Sequence, residues 1–168
     1  SYCRFNNFNT FGNKFGLQLR GAVNNFYFKK GMIHNNSVYG VYFNSYSDYT
    51  GFENIYFKYN LIYNNQLNIY IDYTLNNLVL NNITFFEENE TDININGNVT
   101  DVNLTNCIHG TINGTCNIKS SINRKETTPG FSDPNSHNFK LSPSSAAIDQ
   151  GAELGDNEDF FGRKIIGQ

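Results

Sequence analysis

The sequence predicts an all-β protein built as a solenoid, in which short parallel strands stack from one repeat to the next. The first observation is composition: asparagine occurs 30 times in 168 residues, and the 11 tyrosines and 15 phenylalanines add up to 26. Asparagine is poor in helix interiors, whereas aromatic residues favour the pleated surface of a sheet. The second is a near-duplication, NNFYFKKGMIHNN at 24–36 and ENIYFKYNLIYNN at 53–65. The third is that no helical segment is long enough for a βαβ crossover.

The duplicated pair belongs to a first column of strand-like segments. The members are NNFYF (24–28), ENIYF (53–57), NNLVL (76–80) and TDVNL (100–104), which begin 29, 23 and 24 residues apart. Each alternates with a period of two, which indicates a strand with one buried face. The residues expected inside are Phe26, Phe28, Ile55, Phe57, Leu78, Leu80, Val102 and Leu104. Cys3 and Phe5 stand where an earlier repeat would place the same pair, so we expect Cys3 in the core.

A second column keeps step with the first. Its members are GLQLR (16–20), GVYFN (40–44), NIYID (68–72) and DININ (92–96), which begin 24, 28 and 24 residues apart. The residues expected inside are Leu17, Leu19, Val41, Phe43, Ile69, Ile71, Ile93 and Ile95. The residues expected outside are Gln18, Tyr42, Tyr70 and Asn94, followed by Arg20, Asn44, Asp72 and Asn96. Two columns in step predict that each repeat is one rung, with equivalent strands about 4.8 Å apart.

Stacked rungs also give the asparagines a structural role. Asn25, Asn54, Asn77 and Asp101 occupy one position of the first column. Side-chain amides stacked in this way hydrogen-bond from rung to rung and fill turn conformations that asparagine tolerates. We expect a structural ladder at these four residues, and a second row through Asn60 and the neighbouring turns.

The run NIYFKYNLIYNN followed by NIYIDY resembles the right-handed parallel β-helix, the pectin-lyase-like fold, whose rungs commonly read N-x-I-x-x-N-x-I-x-x-N. The resemblance implies a right-handed parallel β-helix of about four to five rungs over residues 1–126. It also implies an irregular C-terminal capping segment over residues 127–168. Such a cap is expected to cover the apolar end and the unpaired strand edges of the last rung.

The tail is similar to the closing segment of many secreted bacterial β-helix proteins. The matching residues are Phe131, Asp133, Pro134, Phe139, Leu141, Ser142, Pro143, Ala147, Ile148, Asp149, Gly151, Asp159, Gly162 and Arg163. One departure is SPSSAAIDQG in place of S-P-A-I-D-x-G, with three extra residues between Pro143 and Ala147. We interpret Asp149, Asp159 and Arg163 as polar groups that hold the cap together, and not as catalytic residues.

Proteins of this resemblance include pectate and alginate lyases, polygalacturonases, other glycosidases, adhesins and phage tailspikes, and fold alone does not choose among them. Outward Tyr42 and Tyr70, flanked by Gln18, Asn44 and Asp72, are candidates for contact with sugar, because aromatic rings beside amides and carboxylates bind saccharides. The alternative is that stacked tyrosines only stabilise the sheet. Arg20 lies in the same outer column as Asp72.

Two further candidate sites carry charge. Lys29 and Lys58 occupy one column a rung apart, each two positions after a tyrosine; they are either substrate-binding or simply solvated. The acidic run EENETD (87–92) offers oxygen ligands for calcium, or is a solvated turn. No other cofactor is evident.

The cysteines allow two readings. Cys107 and Cys116 enclose eight residues, so a disulfide is possible in an oxidising compartment. The alternative is two unpaired, small apolar residues.

Net charge and hydropathy limit the classes of partner that we expect for this chain. A net charge of -3 without a basic cluster excludes nucleic acid as an expected partner, and no run approaches the roughly 20 apolar residues of a membrane span. The chain begins without methionine, and we expect it to be the C-terminal part of a longer secreted or cell-surface protein, whose upstream part it contacts. The expected ligand is a polysaccharide. The expected function is that of a lyase or glycosidase with active residues mostly upstream; the alternative is a non-enzymatic adhesin or stalk module.

Overall fold

The computed structural model describes residues 3–45, 51–86 and 91–155, and within them nearly all regular structure is β. Sheet A contains β1 (Cys3–Asn6), β4 (Val23–Lys29), β7 (Phe52–Lys58), β10 (Leu75–Asn81), β13 (Val99–Thr105) and β16 (Asn117–Lys119). Sheet B contains β2 (Asn9–Phe11), β5 (Met32–His34), β8 (Leu61–Tyr63), β11 (Thr84–Phe86), β14 (Ile108–His109) and β17 (Ile122–Asn123). Sheet C contains β3 (Phe15–Arg20), β6 (Tyr39–Asn44), β9 (Leu67–Ile71), β12 (Thr91–Ile95) and β15 (Thr111–Asn113). An antiparallel hairpin, β18 (Phe131–Asp133) and β19 (Asn138–Leu141), flanks the 3-10 turn Pro134–Ser136.

The chain visits sheets A, B and C in the same order in every rung, and all pairing within these sheets is parallel. The described residues form five complete rungs and the first two strands of a sixth. This topology confirms the predicted all-β parallel β-helix, a solenoid and not a closed barrel.

The two columns read from the sequence are sheets A and C. Phe26 pairs with Ile55, and Ile55 with Leu78, so the predicted register is confirmed. Along the axis, equal positions stack apolar residues on themselves, and the central members of both columns are fully buried. Cys3 pairs with Phe26, as expected, but is only half-buried because it lies on the first described rung.

Sheet B did not emerge from the sequence as a column of its own. Its strands have only two or three residues, which is too short for a period-two pattern to be recognised. Each follows sheet A after a tight turn, and the turn residue has a left-handed conformation in every rung. The residues with positive φ at this turn are Asn7, Lys30, Tyr59, Asn82, Asn106 and Ser120. Three of the six are asparagine, which tolerates this region better than most residues other than glycine.

The asparagine ladder in sheet A is confirmed for its first three members. Asn54 Nδ2 donates to Asn25 Oδ1 at 3.4 Å, and Asn77 Nδ2 donates to Asn54 Oδ1 at 2.7 Å. All three have positive φ, between 55° and 64°, although they lie within strands. Asp101 occupies the next position with φ 55° and is exposed. The ladder therefore combines a strained backbone conformation with a continuous line of side-chain hydrogen bonds.

Asn60 makes the rung-to-rung hydrogen bonds expected of a second row, but residues of different chemical types occupy the same position in the other rungs. Its Oδ1 accepts from Gly31 N at 2.9 Å and its Nδ2 donates to Phe28 O at 3.0 Å. The stacked residues at this position are Phe8, Gly31, Asn60, Ile83, Cys107 and Ser121. Gly31 is required there because a Cβ would lie 2.2 Å from the Phe8 ring.

A buried polar row occupies the corner between sheets B and C. Asn65 accepts from the Asn36 amide at 2.8 Å and donates to Asn68 Oδ1 at 2.8 Å, and Asn68 donates to Asp92 Oδ1 at 2.8 Å. Gly40 leaves room for this row, because a Cβ there would lie 2.7 Å from Asn65 Nδ2. The row satisfies polar groups that would otherwise destabilise the core.

Cys107 and Cys116 do not form the disulfide considered above; both are free thiols. Cys107 is buried, its Sγ donates to Leu80 O at 3.2 Å, and burial raises its pKa to about 12. Cys116 is half-buried against the core. Both thiols serve as small apolar groups, the second of the two readings.

The C-terminal segment packs against the side of the solenoid. Phe139 of β19 contacts Tyr63 and Phe86, with ring centroids 4.8 Å and 5.3 Å apart. Farther along, the backbone of Ala152 makes two hydrogen bonds with the side chain of Asn106: Ala152 O accepts from Nδ2, and Ala152 N donates to Oδ1. The described part of the segment thus covers the outer face of sheet B at Tyr63 and Phe86, where that face carries large aromatic rings. Residues 156–168, with Asp159, Gly162 and Arg163, lie outside the described residues.

Candidate functional site

The outer face of sheet C carries an aromatic cluster spanning three rungs. Tyr42 and Tyr70 stack with centroids 5.6 Å apart and planes 15° apart. Phe15 lies 5.2 Å from Tyr42 on the side of the first rung, and Tyr39 lies 4.8 Å from both tyrosines. Sequence reasoning found Tyr42 and Tyr70 but missed Phe15 and Tyr39.

The missed pair lies one residue before a glycine in each strand. Alternation counted from Leu17 and Val41 assigns Phe15 and Tyr39 to the buried face. In the structure both are half-buried and contact the outer tyrosine. Gly16 interrupts the regular alternation directly after Phe15. Because Gly16 has no Cβ, it also leaves room for the buried polar row. The glycine that follows Phe15 and the glycine that follows Tyr39 were the sequence signals that could have revealed this outward contact.

The stacking decides which aromatic surface a ligand could reach. Tyr70 stacks on Tyr42 from the following rung, and Phe15 of the preceding rung contacts Tyr42 at a tilt of 46°. Among the described residues, the aromatic neighbours of Tyr70 are Tyr42 and Tyr39 of the preceding rung, and the next rung places Asn94 in register with Tyr70. Because asparagine is much smaller than tyrosine, the face of Tyr70 toward Asn94 forms an aromatic step.

A polar row runs beside the aromatic cluster. A polar atom of the Gln18 amide lies 3.0 Å from Asn44 Oδ1 and 3.0 Å from Arg20 Nε, so Gln18 joins these side chains. One rung later, Asn96 Nδ2 donates to Asp72 Oδ1 at 2.8 Å. The structure therefore brings six of the predicted site residues together on one face: Gln18, Arg20, Tyr42, Asn44, Tyr70 and Asp72.

The phenols of Tyr42 and Tyr70 stay neutral at neutral pH. Burial raises the pKa of Tyr42 and of Tyr70, and the negative charge of Asp72 raises both further. Tyr70 also hydrogen-bonds Asp72, which favours its protonated form. Both hydroxyls are thus hydrogen-bond donors and not bases.

Lys29 and Lys58 lie on a different face. They pair in register on sheet A, beside the stacked rings of Tyr27 and Tyr56. The predicted binding residues are therefore divided between the outer faces of two sheets, and Arg4 joins the sheet A group over the ring of Tyr27.

The candidate calcium turn is only partly described. Residues 87–90 lie outside the described ranges, while Asp92 is fully buried and paired with Arg124 at 2.8 Å. Its carboxylate belongs to the interior of the solenoid. No group of three or more His, Cys, Asp or Glu residues that could hold a metal ion occurs among residues 3–45, 51–86 and 91–155.

The fold is identified from its sheet topology alone. No family model, curated protein or solved structure matches the chain. In the described part of the chain, no helix has the length and hydropathy needed to cross a membrane.

Proposed function

We propose that this chain is the polysaccharide-binding part of a secreted or cell-surface β-helix protein, with the outer face of sheet C as the contact surface. The observation that carries the proposal is the aromatic step at Tyr70 with polar groups around it. A sugar ring stacks its C–H face on the phenol. Its hydroxyls then bond to the Asn94 amide on the next rung and to the Asp72 carboxylate beside the ring.

The repeat supports binding of a polymer and not of a single sugar. Equivalent positions recur at each rung, about 4.8 Å apart along the axis. The row Arg20, Asn44, Asp72 and Asn96 offers one polar group per rung, so successive sugar units of a chain lying along the axis meet successive rungs. As part of the same proposal, the chain has the pectin-lyase-like identity that its rung pattern suggests.

Alanine substitution tests the step directly. Tyr70→Ala should weaken binding on a glycan array of plant and bacterial polysaccharides by about tenfold, because the stacking surface is removed. Tyr42→Ala is the matched control: it removes the same side chain from the same stack, but the Tyr42 ring has aromatic neighbours in the rungs before and after it. It should leave most of the binding intact.

Either of two results would contradict the proposed binding site at Tyr70. One is wild-type protein that binds no polysaccharide on the array. The other is equal loss from Tyr42→Ala and Tyr70→Ala, since the rings would then matter only as a supporting stack.

Lyase activity is the second candidate, favoured by Arg20 and Asp72 on the same outer column. Lyases of the resembled fold use a lysine or arginine to remove a proton beside a uronate carboxylate. Incubation with uronate polymers, followed by the ultraviolet absorbance of the unsaturated product, tests it. Absorbance that rises with wild-type protein and not with Arg20→Ala would support catalysis; a flat trace across the polymers would count against it.

A further inference from the structure

The hairpin of the C-terminal segment lies in the middle of a strap, residues 128–151, that is anchored at both ends. Just before the strap, Thr127 N donates to Asn123 O at 2.9 Å. Just after it, Ala152 makes its two hydrogen bonds to Asn106. Between these anchors, no hydrogen bond or ion pair in the described part of the chain joins the strap to the rungs. The middle of the strap is therefore held on sheet B by the packing of its rings.

Two histidines meet at one of these ring contacts, one from the solenoid and one from the strap. His34 of β5 stacks on Tyr63, with centroids 4.8 Å apart and planes 2° apart. His137, at the turn of the hairpin, lies 5.0 Å from the same tyrosine ring. The contact that docks the strap thus contains two groups that gain a positive charge in mild acid.

The surroundings of His34 on the rungs favour its neutral form. Its Nε2 lies 3.1 Å from Asn9 Oδ1, which accepts the Nε2 proton, and its Nδ1 is buried without a hydrogen-bond partner among the described residues. The rings of Phe11 and Tyr63 stack on it, and burial raises the pKa of the Tyr63 phenol, which stays neutral. A second proton on His34 would therefore create a charged donor for which these neighbours supply no acceptor.

The strap adds like charge and no compensating carboxylate to this contact. Burial lowers the pKa of His34, and the nearby His137 lowers it further. The Asp133 side chain is engaged within the strap, where it accepts from Ser136 N at 3.2 Å and caps the 3-10 turn, and Lys140 is exposed. Protonation of both histidines consequently places repelling charges on the strap and on the solenoid.

We propose that the strap is a pH-controlled cover for the aromatic face of sheet B, docked at neutral pH and released at its middle in mild acid. Docking is at full strength above a pH of about 6.5, the ordinary pKa of histidine, and weakens as pH falls from there through the lower pKa of docked His34. The two anchors consist of backbone and amide hydrogen bonds, which do not titrate in this range. Release therefore uncovers Tyr63 and Phe86 while the strap stays attached at both ends.

A fluorescent reporter tests the release. The chain contains no tryptophan, so Phe139→Trp places a single one within the docking contact. Its emission maximum should shift to longer wavelength as pH falls below about 6.5, while the far-ultraviolet circular dichroism of the rungs stays unchanged.

Hydrogen exchange of the unsubstituted protein, read by mass spectrometry, gives a second measurement that needs no reporter. After correction for intrinsic exchange rates, the protection of amides in residues 131–141 should fall by about tenfold over the same pH range. Amides in the rungs should keep their protection.

Two substitutions in the reporter protein remove the charges one at a time. His34→Phe keeps a ring stacked on Tyr63, and His137→Asn suits the left-handed conformation at that position, φ 57°. Each should lower the pH at which the emission shifts, and the double variant should keep the strap docked throughout. The double variant retains His109, the third histidine of the chain, and so controls for titration elsewhere.

Three results would overturn the inference. The first is an emission maximum and a hairpin protection that do not change with pH. The second is an equal loss of protection in hairpin and rungs, which would indicate global unfolding by acid. The third is an unaltered transition in the double variant.

Discussion

At the scale of single residues, left-handed backbone positions account for eight of the asparagines in the described part of the chain. Asn25, Asn54 and Asn77 combine positive φ with a side chain that bonds to the next rung. A residue with Cβ pays on the order of 1 kcal/mol in this region, and asparagine offsets it by local hydrogen bonding. The ladder was predictable from sequence because one residue type recurs at one position. The positive φ within a strand was not.

Asn54 provides the test of both contributions. Asn54→Ala should lower the free energy of unfolding by about 2 kcal/mol, because it adds backbone strain and removes two hydrogen bonds. Asn54→Gly removes the same bonds without the strain and should cost about 1 kcal/mol. Urea denaturation of the three proteins measures the difference. Equal destabilisation by the two variants would show that the backbone conformation contributes nothing.

At the scale of secondary-structure elements, sheet B has a structural role although the sequence pattern did not reveal its strands. Its outward residues stack along the axis: His34 lies between Phe11 and Tyr63, 5.2 Å and 4.8 Å from them. The hairpin β18–β19 then covers Tyr63 from the outside, through Phe139 and His137. The sequence contained these aromatics, but only the fold shows that they form one column.

His34 makes this packing dependent on pH. Its Nε2 lies 3.1 Å from Asn9 Oδ1, and its Nδ1 is buried without a hydrogen-bond partner among the described residues. Burial lowers the pKa of His34, and the nearby His137 lowers it further. A depressed pKa means that the stability contributed by neutral His34 is present above the unfolded-state pKa of about 6.5 and is lost as pH falls through the lower folded-state pKa.

We therefore expect the free energy of unfolding to fall more steeply on acidification in wild-type protein than in His34→Phe. Phenylalanine keeps the aromatic column and cannot be protonated. Urea midpoints measured above and well below a pH of about 6.5 give the comparison. A difference between the two proteins that stays constant across this range would contradict the titration of His34.

At the scale of the whole molecule, the solenoid narrows toward its C-terminal end. Val79 pairs with Asn103, 24 residues later, but Asn103 pairs with Asn117, only 14 residues later. The shortening follows from tight turns on both sides of β15. Asp92 links these short rungs to the rest, because its Oδ2 accepts from Gly110 N and from Arg124 Nη2.

Removing the charge of Asp92 should therefore destabilise the fold. Burial raises the pKa of Asp92, while Arg124, Gly110 and Asn68 stabilise the ionised form and lower it. Asp92→Asn places an amide among these donors and leaves Arg124 without its charge partner, so we expect a loss of about 3 kcal/mol in the free energy of unfolding.

Chemical denaturation checks this expectation against Asp72→Asn, the same substitution at an exposed site, which should cost under about 0.5 kcal/mol. Similar losses in the two variants would show that the buried ion pair does not hold the narrowing rungs.

Of the candidate site, the sequence determined the outward tyrosines and lysines, because a period of two assigns each residue to a face. It did not show that Tyr42 has aromatic neighbours in the rungs before and after it, while Asn94 follows Tyr70. Nor did it show that Phe15 and Tyr39 join this cluster. Those distinctions depend on how three sheets meet at the corners, and the corner residues carry no periodic signal.

By itself, the sequence determined the solenoid, its two longer sheets, their register and the asparagine ladder. All four follow from repetition, since stacking in register makes each rung depend only on its neighbours. The tertiary structure decided the third sheet, the buried row ending at Asp92 and Arg124, and the packing of the tail against sheet B. These depend on contacts between residues of different type and distant position, which no repeat encodes.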